Sequence, residues 1–301
     1  MPEQTPRVSV IMRTKNADWV VEDALKGLYA QNFKDFELLV VDSGSTDRTL
    51  DIVRRFPHRL IEIEAKAYFP GMVLNSAIEQ TQGDIVVFLN SDSVAQHPEA
   101  LERIVGAFND PAVQAAFARQ TPRPEAHGWV RRDYASSFPE KGPAPEWITM
   151  SLPLAAMRRS CWQQHPFYTS AWASEDTEWG LWARKAGHHV AYVADAIVMH
   201  SHNYTLSQLY GRRFVEGEAD AFIYGGKATL GSLFRQWLRD TVRDSLWCLK
   251  SGEFAGLMLA PVRRFVYGWA YWKGHLLGEE RIARGDGDAS RGQAVVLARH
   301  D

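Results

Sequence analysis

The sequence predicts an α/β fold, a mostly parallel sheet sandwiched by helices, followed by a C-terminal helical appendage. Three observations carry that expectation. Strand–helix alternations run four times in succession from Val8 to beyond His97, the strands are continuously apolar instead of alternating, and only helical periods remain after Leu206. The chain has 301 residues, 46% hydrophobic and 23% charged, enough for a sizeable core. Lys+Arg of 34 against Asp+Glu of 36 gives a formal net charge of -2, so no global cationic field exists to hold a nucleic-acid backbone. Nucleic acid is therefore not an expected partner.

The elements follow in order. Val8-Ser-Val-Ile-Met12 is a β-branched run, then polar Arg13-Thr-Lys-Asn16, then Val20, Val21, Ala24, Leu25 and Leu28 at helical spacing. Leu38-Leu-Val-Val-Asp42 repeats the theme, with the turn Ser43-Gly-Ser-Thr-Asp47 and a helix through Leu50, Ile52, Val53 and Phe56. A third strand spans 60–63 and a helix runs from about Pro70 to Thr81. A fourth strand, Ile85-Val-Val-Phe-Leu89, precedes a helix starting near His97-Pro98. Residues 113–118 read as a fifth strand, whereas 119–150 is proline-rich, charged and without period, which predicts a long functional loop. Residues 175–185 read as a helix ended by Gly187, with short strands at 190–193 and 196–200. Helical periods then continue with breaks expected at Gly225-Gly226, Ser251-Gly252 and Gly274, and a loose tail from Gly285.

Cys161 and Cys248 lie far apart among apolar residues, which predicts buried free thiols and a reducing compartment. The polar start, Met1 to Pro6, runs directly into a core strand, so no signal peptide is expected and the expected location is cytoplasmic. The apolar stretch from Phe254 to Val262 stops at Arg263-Arg264, well short of the ~20 residues that span a bilayer.

Polar residues follow the strand ends, where ligands of open α/β sheets bind, so the site is expected to gather Thr14 to Asn16, Asp42 to Thr46 and Asn90 to Ser93. Neither a Gly-x-Gly-x-x-Gly nor a Gly-Lys-Ser/Thr phosphate loop is present. Asp42 can accept from a nucleobase imide or ribose hydroxyl, or it can cap its own turn. Asp92 can bind a hard cation holding a diphosphate, or cap a helix. Glu175-Asp176 opens a helix, where a carboxylate is favoured electrostatically and can serve as a general base. His200 and His202 lie on one side of an extended segment, as metal ligands or phosphate partners.

Four segments in this order and spacing resemble the family 2 glycosyltransferases with the GT-A fold: Val8-Ser-Val-Ile-Met-Arg-Thr-Lys-Asn, Leu39-Val-Val-Asp-Ser-Gly-Ser-Thr-Asp, Gly83-Asp-Ile-Val-Val-Phe-Leu-Asn-Ser-Asp and Ser174-Glu-Asp. Phe69-Pro-Gly with Asn75, the run from Arg119 to Ala126 and the run from Tyr192 to Thr205 resemble its rhamnosyltransferase branch. The resemblance implies a Rossmann-like catalytic domain over 1–204 and a helical region over 205–301. By position it implies that Thr14, Asn16, Asp42 and Asn75 hold the nucleoside, with Ser43, Ser45, Asn90 and Ser91 in the donor site. Asp92 and His200 would bind Mg²⁺ or Mn²⁺ on the diphosphate, and Asp176 would be the catalytic base. Glu175 and Trp179 would line the acceptor side. Arg119 and Arg123 would bind the diphosphate or a charged acceptor, or tie down their loop.

The implied reaction is an inverting sugar transfer to a saccharide or lipid-linked acceptor, with deoxythymidine-diphosphate rhamnose the favoured donor. A uridine- or guanosine-diphosphate sugar remains open. Asn90 stands where the family often has an aspartate, which keeps a non-catalytic nucleotide-sugar-binding scaffold open as well. In the appendage, Arg235, Arg239, Arg243, Lys250, Arg263, Arg264 and Lys273 interleave with Trp237, Trp247, Phe265, Trp269 and Trp272. That pattern suits contact with the inner face of a membrane, a homo-oligomer interface, or both.

Overall fold

The computed structural model describes residues 8–252, 254–285 and 294–295. The chain begins β1 (Val8–Thr14), α1 (Val21–Tyr29), β2 (Phe36–Asp42), α2 (Thr49–Val53), β3 (Arg59–Glu62), α3 (Pro70–Glu79), β4 (Ile85–Leu89), β5 (Val94–Ala95) and α4 (Ala100–Gly106). It continues through β6 (Val113–Thr121), α5 (Gly128–Ser137), β7 (Leu154–Arg158), α6 (Arg159–Gln164), α7 (Glu175–Lys185) and β8 (His189–Met199). Three long helices follow: α8 (Leu206–Tyr224), α9 (Leu230–Ser251) and α10 (Phe254–Arg284). The tail expected to be loose beyond Gly285 lies outside the described residues, except 294–295.

The strands form one sheet in the order β3-β2-β1-β4-β7-β6-β8-β5. The first four are parallel, as their crossover helices require. β7 then pairs antiparallel with both β4 and β6, which makes the sheet mixed. Pleating sends alternate side chains to opposite faces. Val8, Val10, Met12, Leu38 and Val40 pack under α1 and α4, with Leu25, Leu101 and Ile104. Ile11, Leu39, Val41, Val86 and Phe88 pack under α3, α6 and α7, with Leu74, Trp162 and Trp179. Two-sided burial explains why these strands show no polar alternation.

Three local expectations differ from the structure. Residues 119–150 are not one long loop, because β6 runs on to Thr121 and α5 occupies Gly128–Ser137. The two expected short strands are one, β8 (His189–Met199), whose pairing with β6 shifts register between Ala118 and Arg119. Gly274 does not break a helix. It lies inside α10, where a Cβ would come within 1.8 Å of the Phe214 carbonyl oxygen on α8.

Chain contacts divide the protein into two compact units. The first takes in residues up to Arg123 with Tyr134–Phe167 and Glu175–Ser201, and contains the whole sheet. The second takes Pro124–Asp133, Tyr168–Ser174 and the chain from His202 onward. In the second unit α8 is opened by a capping box of Thr205 with Gln208, and α9 by one of Thr229 with Ser232. Gly252, at a φ of 73°, ends α9 in the left-handed conformation. Its interior is unusually ionic, with Glu218 bonded to Arg281 and Asp244 held by Arg264 at 2.7 Å and by Arg132.

Cys161 and Cys248 are buried free thiols, and burial pushes the Cys161 thiol up to about 11. Close backbone approach of α8 and α10 at Gly274 gives a direct test. Gly274→Ala is expected to cost about 3 kcal/mol or more by overpacking, read as a fall in the denaturation midpoint, whereas Gly231→Ala, with open space at its Cβ position inside α9, should leave it unchanged or raise it slightly.

Candidate functional site

The site lies at the carboxyl ends of adjacent parallel strands. Thr14 ends β1 and pairs in register with Asp42, the last residue of β2. Asp42 is only 1% exposed. Its Oδ2 accepts from the Gly44 and Ser45 amides at 3.0 and 2.9 Å, and its Oδ1 accepts from the Ser45 hydroxyl. Gly44 makes that turn possible, since its φ is +78° and a Cβ would stand 3.2 Å from the Ala65 nitrogen. The Asn16 amide donates to Ser45 Oγ at 2.9 Å, and Asn16 Oδ1 accepts from the Thr46 amide at 2.8 Å. Asn16 itself sits at a φ of +46°, a conformation that asparagine tolerates better than most side chains. Ser43 completes the link, its amide donating to the Thr14 carbonyl at 3.0 Å.

The result is one hydrogen-bonded cradle joining Thr14, Asn16, Asp42, Ser43 and Ser45. The Thr14 hydroxyl is buried within it and has no hydrogen-bond partner in the protein. A buried hydroxyl left unpaired costs desolvation energy that a bound polar ligand can recover.

At the next strand end, the Ser91 amide donates to the Arg13 carbonyl and the Ser93 amide to the Asn90 carbonyl, which turns the chain so that Asp92 follows β4. Asp92 Oδ2 lies 3.7 Å from His200 Nε2. His200 follows β8, and its Nδ1 is 2.9 Å from Gln120 Oε1 and 3.3 Å from the Tyr134 hydroxyl. The Gln120 amide nitrogen donates to Ser151 Oγ, so its oxygen is the atom turned to the imidazole. That contact places a proton on Nδ1 and turns Nε2 towards the Asp92 carboxylate. A hard carboxylate and an imidazole oriented from behind are donor types that suit a divalent cation. Arg123 donates from Nη2 to the Asp92 carbonyl and lies over the Trp19 ring at 4.8 Å.

The third group opens α7. Glu175 is 8% exposed and pairs with Arg13, Nη1 to Oε1 at 2.8 Å, while the Tyr68 hydroxyl is 3.2 Å from the same nitrogen. Burial by itself would lower the Arg13 guanidinium, but Tyr68, Glu175 and Asp176 together hold it above its ordinary value. Asp176, half-buried, accepts from the Thr177 amide at 2.8 Å. Gly180 seats the helix, since a Cβ there would meet the Thr149 backbone at 2.7 Å.

The structure corrects one of the residues expected from the sequence. Trp179 is fully buried, with its Nε1 donating to the His165 carbonyl, and therefore presents no surface to an acceptor. Asn75 is a strut: its Oδ1 accepts from the Phe167 amide and Trp162 Nε1, and its Nδ2 donates to the Phe167 carbonyl. Arg119 is paired at 3.9 Å with Glu140. Arg13, Gln120 and Tyr134 are the participants that the sequence reading passed over. Arg13 carries a signal, a charge between an apolar strand and Thr14, whereas Tyr134 lies on the helix that shows no apolar period.

The sequence profile of Glycosyl transferase family 2 matches residues 9–171. The O-antigen chain rhamnosyltransferase WbaN of Salmonella anatum is 31% identical over 229 residues, covering 70% of this chain and 71% of that protein. RfbN of Salmonella typhimurium, also an O-antigen chain rhamnosyltransferase, is 29% identical over 224 residues with the same coverage. Among solved structures, the mannosyltransferase PcManGT from Pyrobaculum calidifontis in complex with GDP-Man and Mn²⁺ aligns with a TM-score of 0.59 at 20% identity, covering 99% of this chain and 80% of that one. TarS 1-349 of S. aureus in complex with UDP-GlcNAc aligns at 0.55 and 20% identity, covering 93% and 92%.

The Arg13–Glu175 pair makes a stability test. Arg13→Met strands a buried carboxylate and is expected to cost about 3–5 kcal/mol in urea unfolding at neutral pH. Adding Glu175→Gln should recover much of that loss, and a single-variant cost under about 1 kcal/mol would show that the pair does not hold α7.

Proposed function

Because the chain belongs to glycosyl transferase family 2 and is a nucleotide-sugar-dependent glycosyltransferase, we propose that it transfers L-rhamnose with inversion from deoxythymidine-diphosphate rhamnose to a saccharide or lipid-linked acceptor, at the cytoplasmic face of the cell membrane. The two rhamnosyltransferase relatives support the sugar, and the cradle at the ends of β1 and β2 supports a nucleotide. The observation that carries the reading is Asp92 facing an imidazole whose other nitrogen is held by Gln120. In this reading residues 1–204 form the catalytic domain and 205–301 the helical region.

Asp92 and His200 would hold Mn²⁺ or Mg²⁺. A cation there supplies positive charge to the departing diphosphate. Thr14, Asn16, Asp42 and Asn75 would bind the nucleoside, with Ser43, Ser45, Asn90 and Ser91 lining the donor site. The Thr14 hydroxyl and the remaining acceptor capacity of Asp42 are the groups suited to it. Asn90 contributes an amide where a second carboxylate would add charge, so the imidazole is the second strong donor beside Asp92.

Asp176 sits in the first turn of α7, where an anion is electrostatically favoured. As general base it takes the acceptor hydroxyl proton while that oxygen bonds to the anomeric carbon. The bond from that carbon to the diphosphate breaks at the same time, and its electron pair leaves with the nucleoside diphosphate. Arg13 acts one residue away, fixing Glu175 so that the turn carrying Asp176 keeps its orientation. Glu175 and Arg119 would shape the acceptor side.

Calorimetry against thymidine, uridine and guanosine diphosphate sugars, each with Mn²⁺ and with chelator, tests the donor: metal-dependent binding of the thymidine compound alone is expected, and preference for another base would replace the rhamnose assignment. Asp176→Asn is expected to lower kcat about 10²- to 10⁴-fold with donor affinity unchanged, and an unaltered kcat would remove it as base. Gln120→Leu, which frees the His200 ring, should weaken Mn²⁺ binding about 10- to 100-fold in a titration of the metal alone.

A further inference from the structure

An ordinary surface helix turns its leucines inward and its charges to water. α9 departs from that pattern, with both carboxylates buried and four of its five leucines exposed. Leu230, Phe234, Leu238, Val242 and Leu246 recur every fourth residue and are each between 50% and 58% exposed. Its carboxylates, Asp240 and Asp244, are 4% and 2% exposed. Asp244 is bonded to Arg264 and Arg132 inside the helical unit, and Asp240 is paired with Arg239 and Arg243. The first turns of α10 extend the apolar surface, with Phe254 and Met258 at 68% and 79% exposure.

Among the described residues, the exposed charges of α9 have one sign. Arg235, Arg239 and Arg243 each follow a stripe residue by one position, which at about 100° per residue sets them along one flank of the stripe. Lys250 lies on the same flank near the end of the helix, and all four are exposed. Both acidic residues of α9 are buried, so the charged groups that the helix exposes are all cationic. No helix among the described residues is long and apolar enough to cross a membrane. An apolar stripe too short to span, edged by cations, is the pattern of a helix that lies in the headgroup region of a bilayer.

We propose that the exposed face of the α9–α10 hairpin docks on an anionic lipid surface, with the stripe in the acyl boundary and the arginine flank among the headgroups. The reading deepens the lipid-linked acceptor proposal by naming the face that meets the membrane. It rests on exposure and charge, not on the donor or the metal, so vesicle binding and sugar transfer can fail separately.

The test is flotation of the full chain, in low salt, with vesicles of phosphatidylglycerol in phosphatidylcholine and with vesicles of phosphatidylcholine alone. Co-flotation with the anionic vesicles is expected, at least about tenfold stronger than with the neutral ones and lost as salt rises. Leu238→Asn with Leu246→Asn should reduce partitioning at least about tenfold, and Arg235→Glu with Lys250→Glu should do the same for anionic vesicles. All four positions are exposed, and an unchanged thermal midpoint shows that the variants fold. No co-flotation of the parent chain, or flotation indifferent to the apolar pair, overturns the proposal. A stable dimer in light scattering that the apolar pair dissolves, without vesicle binding, assigns the face to a second copy instead.

Discussion

A single buried ion pair ties the start of the chain to the helix that carries the proposed base. Arg13 leaves the end of β1 and meets Glu175 in the first turn of α7, with the Tyr68 hydroxyl as a third partner. Neither charge is tolerable alone in that setting, since an unpaired buried ion costs several kcal/mol. The pair therefore constrains two elements 162 positions apart in sequence to one arrangement. Trp179 and Gly180 then lock the rest of α7 against His165 and Thr149, so its orientation is over-determined.

The same economy runs through the strand ends. Asp42 spends hydrogen bonds on its own turn, which is the bland alternative open from sequence, yet that turn is what shapes the cradle around the unpartnered Thr14 hydroxyl. Capping and ligand binding are not rivals at this position, because a carboxylate oxygen can accept more than one hydrogen bond. The Asp92–His200 pair is organised from behind by Gln120 and Tyr134, residues that no local rule marks. In the proposed metal site the amide at Asn90 leaves the imidazole as the second strong donor, so the orientation of His200 would matter more than in a site with two carboxylates.

The helical unit shows how charge patterning can invert a surface. Asp244 holds Arg264 and Arg132 in the interior, and the helix that carries it is set with four of its five leucines outward. Burying ion pairs is a weak source of stability, but a rotated helix would strand those charges, and an unpaired buried charge is strongly destabilising. Close backbone approaches at Gly217, Gly274 and Gly278 fix α8 against α10 in the same unit.

Periodicity and turn chemistry determined a great deal without tertiary information. The parallel strands, the strand-end polar segments and α7 at 175–185 were all legible, because two-sided burial and helix spacing leave local marks. The family resemblance rested on those same segments and was borne out over residues 9–171. What the sequence did not show is set by distant partners. β7 is a short buried strand with no alternation, α5 has no apolar period, and Gly274 reads as a breaker although it is a contact point. Trp179 was placed on the acceptor side although it is core, since an aromatic residue beside an acidic motif looks the same in either role. Only the tertiary structure decided the orientation of His200 and the pairing of Arg13, because hydrogen-bond geometry and burial arise when segments far apart in the chain meet.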